Sequence, residues 1–312
     1  MKTLILPVLA AMTVWLSAAA AEPFRFVAMG DLPYNLPGDY EKFDRLIGRI
    51  NDRQPAFSVH VGDIKSGGSE CSDAAFEKIH RQFMSFDQPL FYTPGDNEWT
   101  DCHREAAGGY DPLERLSALR RMFFAEAKSL GRTSRPYRRQ ADTPVGDGLI
   151  ENAVWRQDDV LFVTAHVVGS NNGMERNATS VEEFLRRDAA NLAWLAAAFR
   201  EAQDMKAGAM VVIFHANPMF EVEKSWDYSN SGFKTTIAAL AEGAAAFGKP
   251  VLLVHGDFHE FIIDKPLRGG DGKLLRNVTR LQVMGARDVG GVEVSVDTAT
   301  EAVFGFTPIL VE

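Results

Sequence analysis

Five short runs along the chain are apolar at nearly every position rather than at alternate positions. They are FRFVAM from Phe24, AFSVHV from Ala56, LFYT from Leu90, MVVIFH from Met210 and PVLLVH from Pro250. Short runs of this kind, rich in β-branched and aromatic residues, are typical of strands that are buried on both faces. We therefore predict a largely parallel sheet covered by other elements.

Helical patterns lie between the apolar runs. Residues 39–52 and 73–86 place apolar side chains three or four positions apart, as an amphipathic helix requires. A longer helical pattern covers residues 180–203, where Ser180 and Glu183 have the spacing of a capping box. The alternation of strands and helices predicts an α/β architecture.

Three longer segments depart from this alternation. Residues 104–145 are charged, with a helical pattern near their centre, and we interpret them as an insertion rather than as a separate domain. Residues 153–168 have the pattern of a β-hairpin. Residues 277–310 are rich in strand formers and turn residues, which predicts meandering strands that complete a sheet. We predict one domain over residues 22–312.

The N-terminus has the composition of a secretory signal. Lys2 is followed by a 13-residue apolar stretch over residues 4–16 and by small residues up to Ala21. This stretch is too short for a typical membrane span, and no later segment reaches spanning length. We therefore predict a signal peptide over residues 1–21, cleavage near Ala21 and a periplasmic or secreted mature protein with no membrane span.

Composition excludes some function classes. The 312 residues are 46% hydrophobic, which is ample for a core, and the formal net charge is −9. A negative chain without a large cluster of Lys and Arg has no evident nucleic-acid-binding surface. The oligomeric state is not readable from these features.

The two cysteines, Cys71 and Cys102, would face an oxidising compartment after export, where disulfides persist. Each cysteine follows one of two Gly-Asp turns that a parallel sheet could place side by side. A disulfide is therefore the favoured prediction, and two unpaired buried thiols are the alternative.

Four apolar runs end in Gly-Asp, at Asp31, Asp63, Asp96 and Asp257. A single Gly-Asp is a common turn or helix-cap signal, but parallel strands would bring the four carboxylates to one edge of a sheet. Buried carboxylates in such proximity repel one another and are costly unless cations compensate them. The series therefore predicts a metal site.

Taken together, "GDLPY", "VGDIK", "PGDNEW", "FHANP" and "HGDFH" resemble, in order and spacing, the motifs of the calcineurin-like metallophosphoesterases. The resemblance extends from about Phe24 to Asp264. It implies a four-layer α/β/β/α sandwich in which a metal-bound hydroxide attacks a phosphoester. It also implies divalent metal ions bridged by one aspartate.

The motifs assign roles by position. The implied metal ligands are Asp31, Asp63, Asp96, His215, Asp257 and His259, with Asp63 in the bridging place. The resemblance also implies catalytic roles for Asp63, Asn97 and His215. Two residues depart from the family pattern. Pro33 stands where a ligand histidine is usual, and Asn97 stands where the family has a histidine that stabilises or protonates the leaving group.

The aspartates also bear on metal identity. Four carboxylates against two divalent ions leave a nearly neutral site, which would attract a phosphate dianion less strongly. Oxygen-rich ligand sets favour manganese, magnesium or calcium over zinc, and iron remains a candidate. We therefore expect one or two divalent ions.

Other polar residues next to these motifs have two interpretations each. His60 and His255 lie inside apolar strands, where core or ligand-supporting placement is favoured, although either could replace the imidazole absent at Pro33. Lys65 could bind phosphate or form a surface ion pair. Glu98 could hold its loop rather than bind metal. Tyr34 could reach the site or pack on the surface.

Two function classes follow. The first is an exported metal-dependent phosphoesterase acting on a small phosphomonoester or phosphodiester. The alternative, favoured by Pro33 and Asn97, is a catalytically weak or inactive protein of the same fold with a metal-stabilised binding or structural role.

Overall fold

The computed structural model describes residues 22–146, 148–220 and 230–312, and the strands form two mixed sheets. The first sheet has the order β12-β11-β1-β2-β3, with bounds Phe304–Leu310, Gly290–Val296, Phe24–Met29, Phe57–His60 and Leu90–Tyr92. Strands β1, β2 and β3 are parallel, whereas β11 and β12 are antiparallel additions beside β1. The predicted signal peptide lies outside the described residues.

The second sheet has seven strands in the order β4-β5-β6-β7-β8-β10-β9. Their bounds are Arg138–Arg139, Ala153–Gln157, Val160–Thr164, Ala209–Ile213, Val251–His255, Val278–Gln282 and Ile262–Asp264. Strands β6, β7, β8 and β10 are parallel neighbours. Strands β5 and β6 form the predicted hairpin, which turns at Asp158 and Asp159. All five predicted apolar strands are confirmed.

Helices cover the outer faces of both sheets. They are α1 (Gly38–Arg53), α2 (Asp73–Phe83), α3 (Pro112–Phe123), the short α4 (Gly169–Asn172), α5 (Ala178–Asp204) and α6 (Lys234–Phe247). Short 3-10 helices span Thr100–His103, Glu105–Ala107 and Gln140–Asp142. The segment at 104–145 contains α3 and β4, and its interpretation as an insertion stays a prediction.

Three hydrophobic clusters lie between the four layers, which are two layers of helices and two sheets. One cluster packs α1, α2 and α3 on the first sheet, and another packs α5 and α6 on the second sheet. The third joins the two sheets, where Phe57 of β2 contacts Phe162 of β6 edge-on with ring centroids 5.0 Å apart. Because each sheet buries one face on helices and the other on its partner, the strands are apolar throughout. The predicted α/β/β/α sandwich is confirmed.

The predicted cap of the long helix α5 was wrong by three residues. Asn177 is the N-cap, and its side chain accepts a hydrogen bond from the Ser180 backbone N–H. The Ser180 hydroxyl in turn accepts from the Asn177 N–H, which completes a reciprocal capping box. Ser180 is therefore the third helical residue rather than the cap, because asparagine offers an equally good capping oxygen one turn earlier.

The C-terminal strands do not form one meander. Strand β10 joins the second sheet parallel to β8, whereas β11 and β12 extend the first sheet antiparallel to β1. The chain thus crosses between the sheets after β10. Local periodicity cannot distinguish these arrangements, because it indicates strand formation but not which sheet edge is available.

Cys71 and Cys102 form a buried disulfide, as predicted. The bridge joins the segment after β2 to the 3-10 helix after β3. Both sulfur atoms lie 3.6 Å from the Asn97 carbonyl oxygen, so the disulfide packs beside that backbone. Within the described residues, no helix is long and apolar enough to cross a membrane.

Candidate metal centre

Four acidic turns converge at the carboxyl ends of strands from both sheets. Asp31 follows β1, Asp63 follows β2, Asp96 follows β3 and Asp257 follows β8, while His215 lies just beyond β7. Asp31, Asp63, Asp96 and His215 are buried, and Asp257 is partly buried. The structure therefore brings these predicted ligands together, as expected for residues at the carboxyl ends of parallel strands.

The turns need glycine because a neighbouring turn occupies the space of a side chain. A Cβ on Gly95 would lie 2.2 Å from the Asp63 Oδ1 atom, and a Cβ on Gly256 would lie 2.2 Å from the Asp31 Oδ2 atom. Both distances are far shorter than a van der Waals contact. The glycine of one turn thus admits the carboxylate of another, which gives the repeated Gly-Asp a physical cause.

We expect Gly95→Ala to lower the free energy of unfolding by about 1–3 kcal/mol, the range for overpacking a well-packed interior. The reason is the clash with Asp63, whose backbone nitrogen would also lie only 2.5 Å from the new Cβ. Urea unfolding measures the change. Gly68→Ala is the matched control, because a Cβ at Gly68 has no atom within 4 Å. Equal stability of the two variants would contradict the packing argument.

Several site residues have left-handed backbone conformations. The φ angles are +56° at Asp31, +56° at Asp63, +79° at Asp257 and +62° at His259. Such angles are uncommon for residues with a side chain, and they cluster where a site holds side chains in a required direction. Here they turn the three carboxylates and the imidazole away from their strands.

The predicted ligands form two groups that share His215. Asp31, Asp63 and His215 offer ligand atoms within 4.8 Å of one another, and so do Asp96, His215 and Asp257. His259 lies at the edge of the first group, with its Nε2 atom 3.8 Å from Asp31 Oδ1. The shared residue in this geometry is the histidine, whereas the resemblance implied a bridging Asp63; the bridging role of Asp63 stays a prediction.

The orientation of His215 suits a metal ligand. Its Nδ1 atom lies 2.9 Å from the Val61 carbonyl oxygen, which can accept only if Nδ1 carries the proton. Its Nε2 atom faces the carboxylates, 3.0 Å from Asp96 Oδ1 and 3.4 Å from Asp63 Oδ1. A backbone acceptor that fixes one ring nitrogen leaves the lone pair of the other available to a cation.

The electrostatics of the centre disfavour ionisation of its carboxyl groups in the absence of a cation. Burial raises the pKa of Asp31 to about 8 and that of Asp257 to about 6, and repulsion by neighbouring carboxylates adds to both shifts. Burial also raises the pKa of Asp63 well above its usual range. Burial alone would lower the pKa of His215, but Asp63 and Asp96 raise it well above the ordinary value. Cations would relieve this repulsion.

Tyr34 lies inside the site rather than on the surface. Its hydroxyl donates to Asp63 Oδ2 at 2.5 Å and accepts from the Asn97 amide at 2.8 Å. It is also 3.3 Å from His259 Nε2, and the two rings pack edge-on. Asn97 Nδ2 donates to Asp63 Oδ2 as well, at 2.5 Å. Tyr34 therefore lies between the Asp63 carboxylate, the Asn97 amide and the His259 ring.

The remaining predicted residues surround the centre. Glu98 is buried and accepts from the backbone N–H groups of Asp63 and Gly95, which indicates that it holds the two turns. Lys65 is buried rather than at the surface, and its ammonium donates to the Ser66 carbonyl oxygen. Its position close to Glu98 and Asp63 places positive charge beside the carboxylates.

His60 and His255 are fully buried. His60 contacts the Leu32 carbonyl oxygen at 3.3 Å through Nε2, and His255 stacks on Phe214 with ring centroids 5.4 Å apart. Burial lowers the pKa of each to about 3, so both are neutral. Neither belongs to the two ligand groups, which agrees with the favoured core or supporting placement.

Sequence reasoning missed Ser170 and Asp101. The Ser170 hydroxyl lies 2.9 Å from Asp96 Oδ2 and 3.2 Å from Asp101 Oδ1, and it links the two side chains. Asp101 is buried, and Arg104 pairs with it at 2.7 Å. No motif marks these residues. The only available signal was the polar composition of the loops after β3 and β6.

Comparisons with known proteins concern the family and the fold of the chain. The profile of the family described as calcineurin-like phosphoesterase matches residues 24–197. A dimetal phosphatase from Danio rerio superposes with a TM-score of 0.55 at 11% identity, covering 93% of this chain and 100% of that one. A purple acid phosphatase from yellow lupin (Lupinus luteus) seeds gives 0.47 at 12% identity, covering 93% and 54%. A search of curated protein sequences finds no match. At these identities the structural likeness shows the fold alone.

Proposed function

Because the chain belongs to the calcineurin-like phosphoesterase family, we propose that it hydrolyses small phosphate esters in a metal-dependent reaction. The observation that carries this proposal is the pair of ligand groups that share His215. Bound divalent ions would polarise the phosphoryl group and activate water. The donor set fits such ions, because buried carboxylates and one oriented imidazole leave negative charge that cations would compensate.

The residues of the chain divide into two roles. Asp31, Asp63, Asp96, His215, Asp257 and His259 would hold one or two ions, with manganese, magnesium or calcium preferred to zinc because most donors are carboxylate oxygens. Tyr34 and Asn97 hold the Asp63 carboxylate by hydrogen bonds. The Asn97 amide donates to Tyr34 and to Asp63, and it cannot deliver a proton to a leaving group.

Metal removal and replacement test the proposal. The purified protein would be stripped with a chelator, and p-nitrophenyl phosphate and bis-p-nitrophenyl phosphate would be assayed after addition of manganese, magnesium, calcium or zinc. We expect turnover to disappear with the metal and to return most strongly with manganese or magnesium. Tight metal binding without turnover would instead support the catalytically inactive alternative, which the asparagine at position 97 favours.

We also propose that the protein acts outside the cytoplasm. The disulfide supports this location, because such bonds persist in oxidising compartments. The mass of the mature protein from the periplasm or medium should correspond to a chain that begins at Glu22. A full-length chain retained in the cytoplasm would exclude export.

A further inference from the structure

A cavity of about 240 Å³ lies beside the metal centre. Its lining residues include Trp99, Thr100, Arg104, Arg176 and Thr179. Asp101 and Ser170 also line it, and Ser170 donates directly to the Asp96 carboxylate. The cavity therefore lies next to the metal centre, on the side of Asp96.

Arg104 stands at the boundary between the cavity and the centre. A Cβ placed on Gly67 would lie 2.6 Å from Arg104 Nη1 and 2.8 Å from Asn97 Oδ1, so both side chains border the same small space. Asn97 in turn contacts Asp63. The guanidinium is thus close to Asn97, which connects it to Asp63 of the metal centre.

The guanidinium also has donors to spare. Its Nη1 atom pairs with Asp101 Oδ2 at 2.7 Å, and its side chain is 48% exposed. Among the described residues, this is its only ion pair. An arginine has five N–H donors in a planar fork that matches the oxygens of phosphate, and the Asp101 pair uses one edge only.

We propose that Arg104 binds a phosphoryl oxygen of the substrate and that the adjoining cavity receives the organic group of a phosphomonoester. This inference rests on the proposed phosphoesterase function. It goes beyond that function in naming the substrate class and a residue that recognises it.

The number of phosphoryl oxygens favours a monoester over a diester. A monoester has three non-bridging oxygens, which gives Arg104 one more oxygen to bind than a diester offers. A diester has only two, and its second organic group would have to occupy the place of the third. A charge-assisted hydrogen bond from Arg104 thus discriminates between the two classes.

The cavity walls indicate the kind of organic group. Its volume lies below the range of roughly 300–1,000 Å³ that is usual for drug-sized ligands, which points to a small group. Thr100, Ser170 and Thr179 line it, and the Thr100 and Ser170 hydroxyls, which donate to Asp96, can still accept a hydrogen bond. The buried indole N–H of Trp99, another lining residue, has no hydrogen-bond partner among the described residues. These polar groups suit an organic group that carries hydroxyls.

The test compares Arg104→Gln and Arg104→Lys with wild type on manganese-loaded protein. We expect Arg104→Gln to raise KM for p-nitrophenyl phosphate by roughly 10- to 100-fold, the effect of one charge-assisted hydrogen bond. The factor by which KM rises for bis-p-nitrophenyl phosphate should be at least about fivefold smaller. Arg104→Lys should restore part of the monoester loss, because it retains the charge but not the fork.

Arg81→Gln is the matched control, because it removes the same charge from an exposed side chain of α2 that pairs with Glu77. Arg81→Gln should leave KM for both esters unchanged. Thermal unfolding of each variant separates loss of binding from loss of folding. Equal losses of Arg104→Gln on both esters, or no loss on either, would overturn the inference.

Failure of the proposed function would be recognised separately. If wild-type protein hydrolyses neither ester, calorimetric titration of the manganese-loaded protein with inorganic phosphate tests whether Arg104 binds the anion. Weaker phosphate binding by roughly tenfold in Arg104→Gln would support the anion site in a non-catalytic protein. Unchanged binding in the variant, or no phosphate binding by wild type, would reject it.

Discussion

Replacing His215 with glutamine should reduce kcat/KM by more than about 100-fold and abolish stoichiometric metal binding. Loss of groups that merely support metal ligands costs about 10- to 100-fold, and His215 is the residue that both ligand groups contain, with Nε2 as its one available ligand atom. Glutamine cannot reproduce the arrangement in which Nδ1 donates to Val61 while Nε2 faces Asp96 and Asp63. Among the described residues, His215 alone belongs to both ligand groups.

Metal content by mass spectrometry and steady-state kinetics on p-nitrophenyl phosphate would be measured on the same preparations. His80→Gln is the control, since His80 lies on α2 outside both ligand groups and packs on Phe123. A His215→Gln protein that retains wild-type metal content and a rate within threefold of wild type would remove this histidine from the centre.

Replacing both Cys71 and Cys102 with serine should lower the free energy of unfolding by roughly 3–4 kcal/mol. The disulfide closes a loop with a sequence separation of 31 residues, and without it the unfolded chain gains the corresponding conformational entropy. The bridge also lies against the Asn97 carbonyl oxygen. We therefore expect the double variant to lose activity before it loses the fold, because the turn that carries Asp96 and Asn97 becomes less constrained.

Urea unfolding of metal-free protein measures this change without the added stability that ion binding contributes. Wild-type protein unfolded in the presence of a reductant is the internal control and should approach the stability of the double variant. A difference below about 1 kcal/mol between the double variant and the oxidised protein would show that the native structure does not depend on the cross-link.

The centre also explains how the chain departs from its family pattern at position 33. Proline there cannot bind metal, but the following residue, Tyr34, reaches the Asp63 carboxylate, the Asn97 amide and the His259 ring. The tyrosine hydroxyl is thus a polar group of the centre supplied by the residue next to Pro33. The sequence alone did not decide whether Tyr34 lies in the site or on the surface. Its position depends on partners from three turns that are distant along the chain.

The elements of the fold were readable from the sequence because their signals are local. Runs that are apolar throughout indicate strands buried on both faces, and each such run became a strand. The Gly-Asp series was informative because parallel strands place their carboxyl ends at one edge, so strand order and turn chemistry together located the acidic centre. The spacing of the motifs then supplied His215 and His259.

Other features were decided only by tertiary structure. The assignment of β10 to one sheet and of β11 and β12 to the other depends on which edges are free. Ser170 follows β6 of the second sheet, so only the packing of the two sheets brings its hydroxyl beside Asp96. Asp101 and Arg104 follow Asp96 on the same short segment, where no apolar periodicity marks them. Local sequence determines which segments become strands and helices, whereas contacts between distant loops depend on the assembled layers and leave no pattern along the chain.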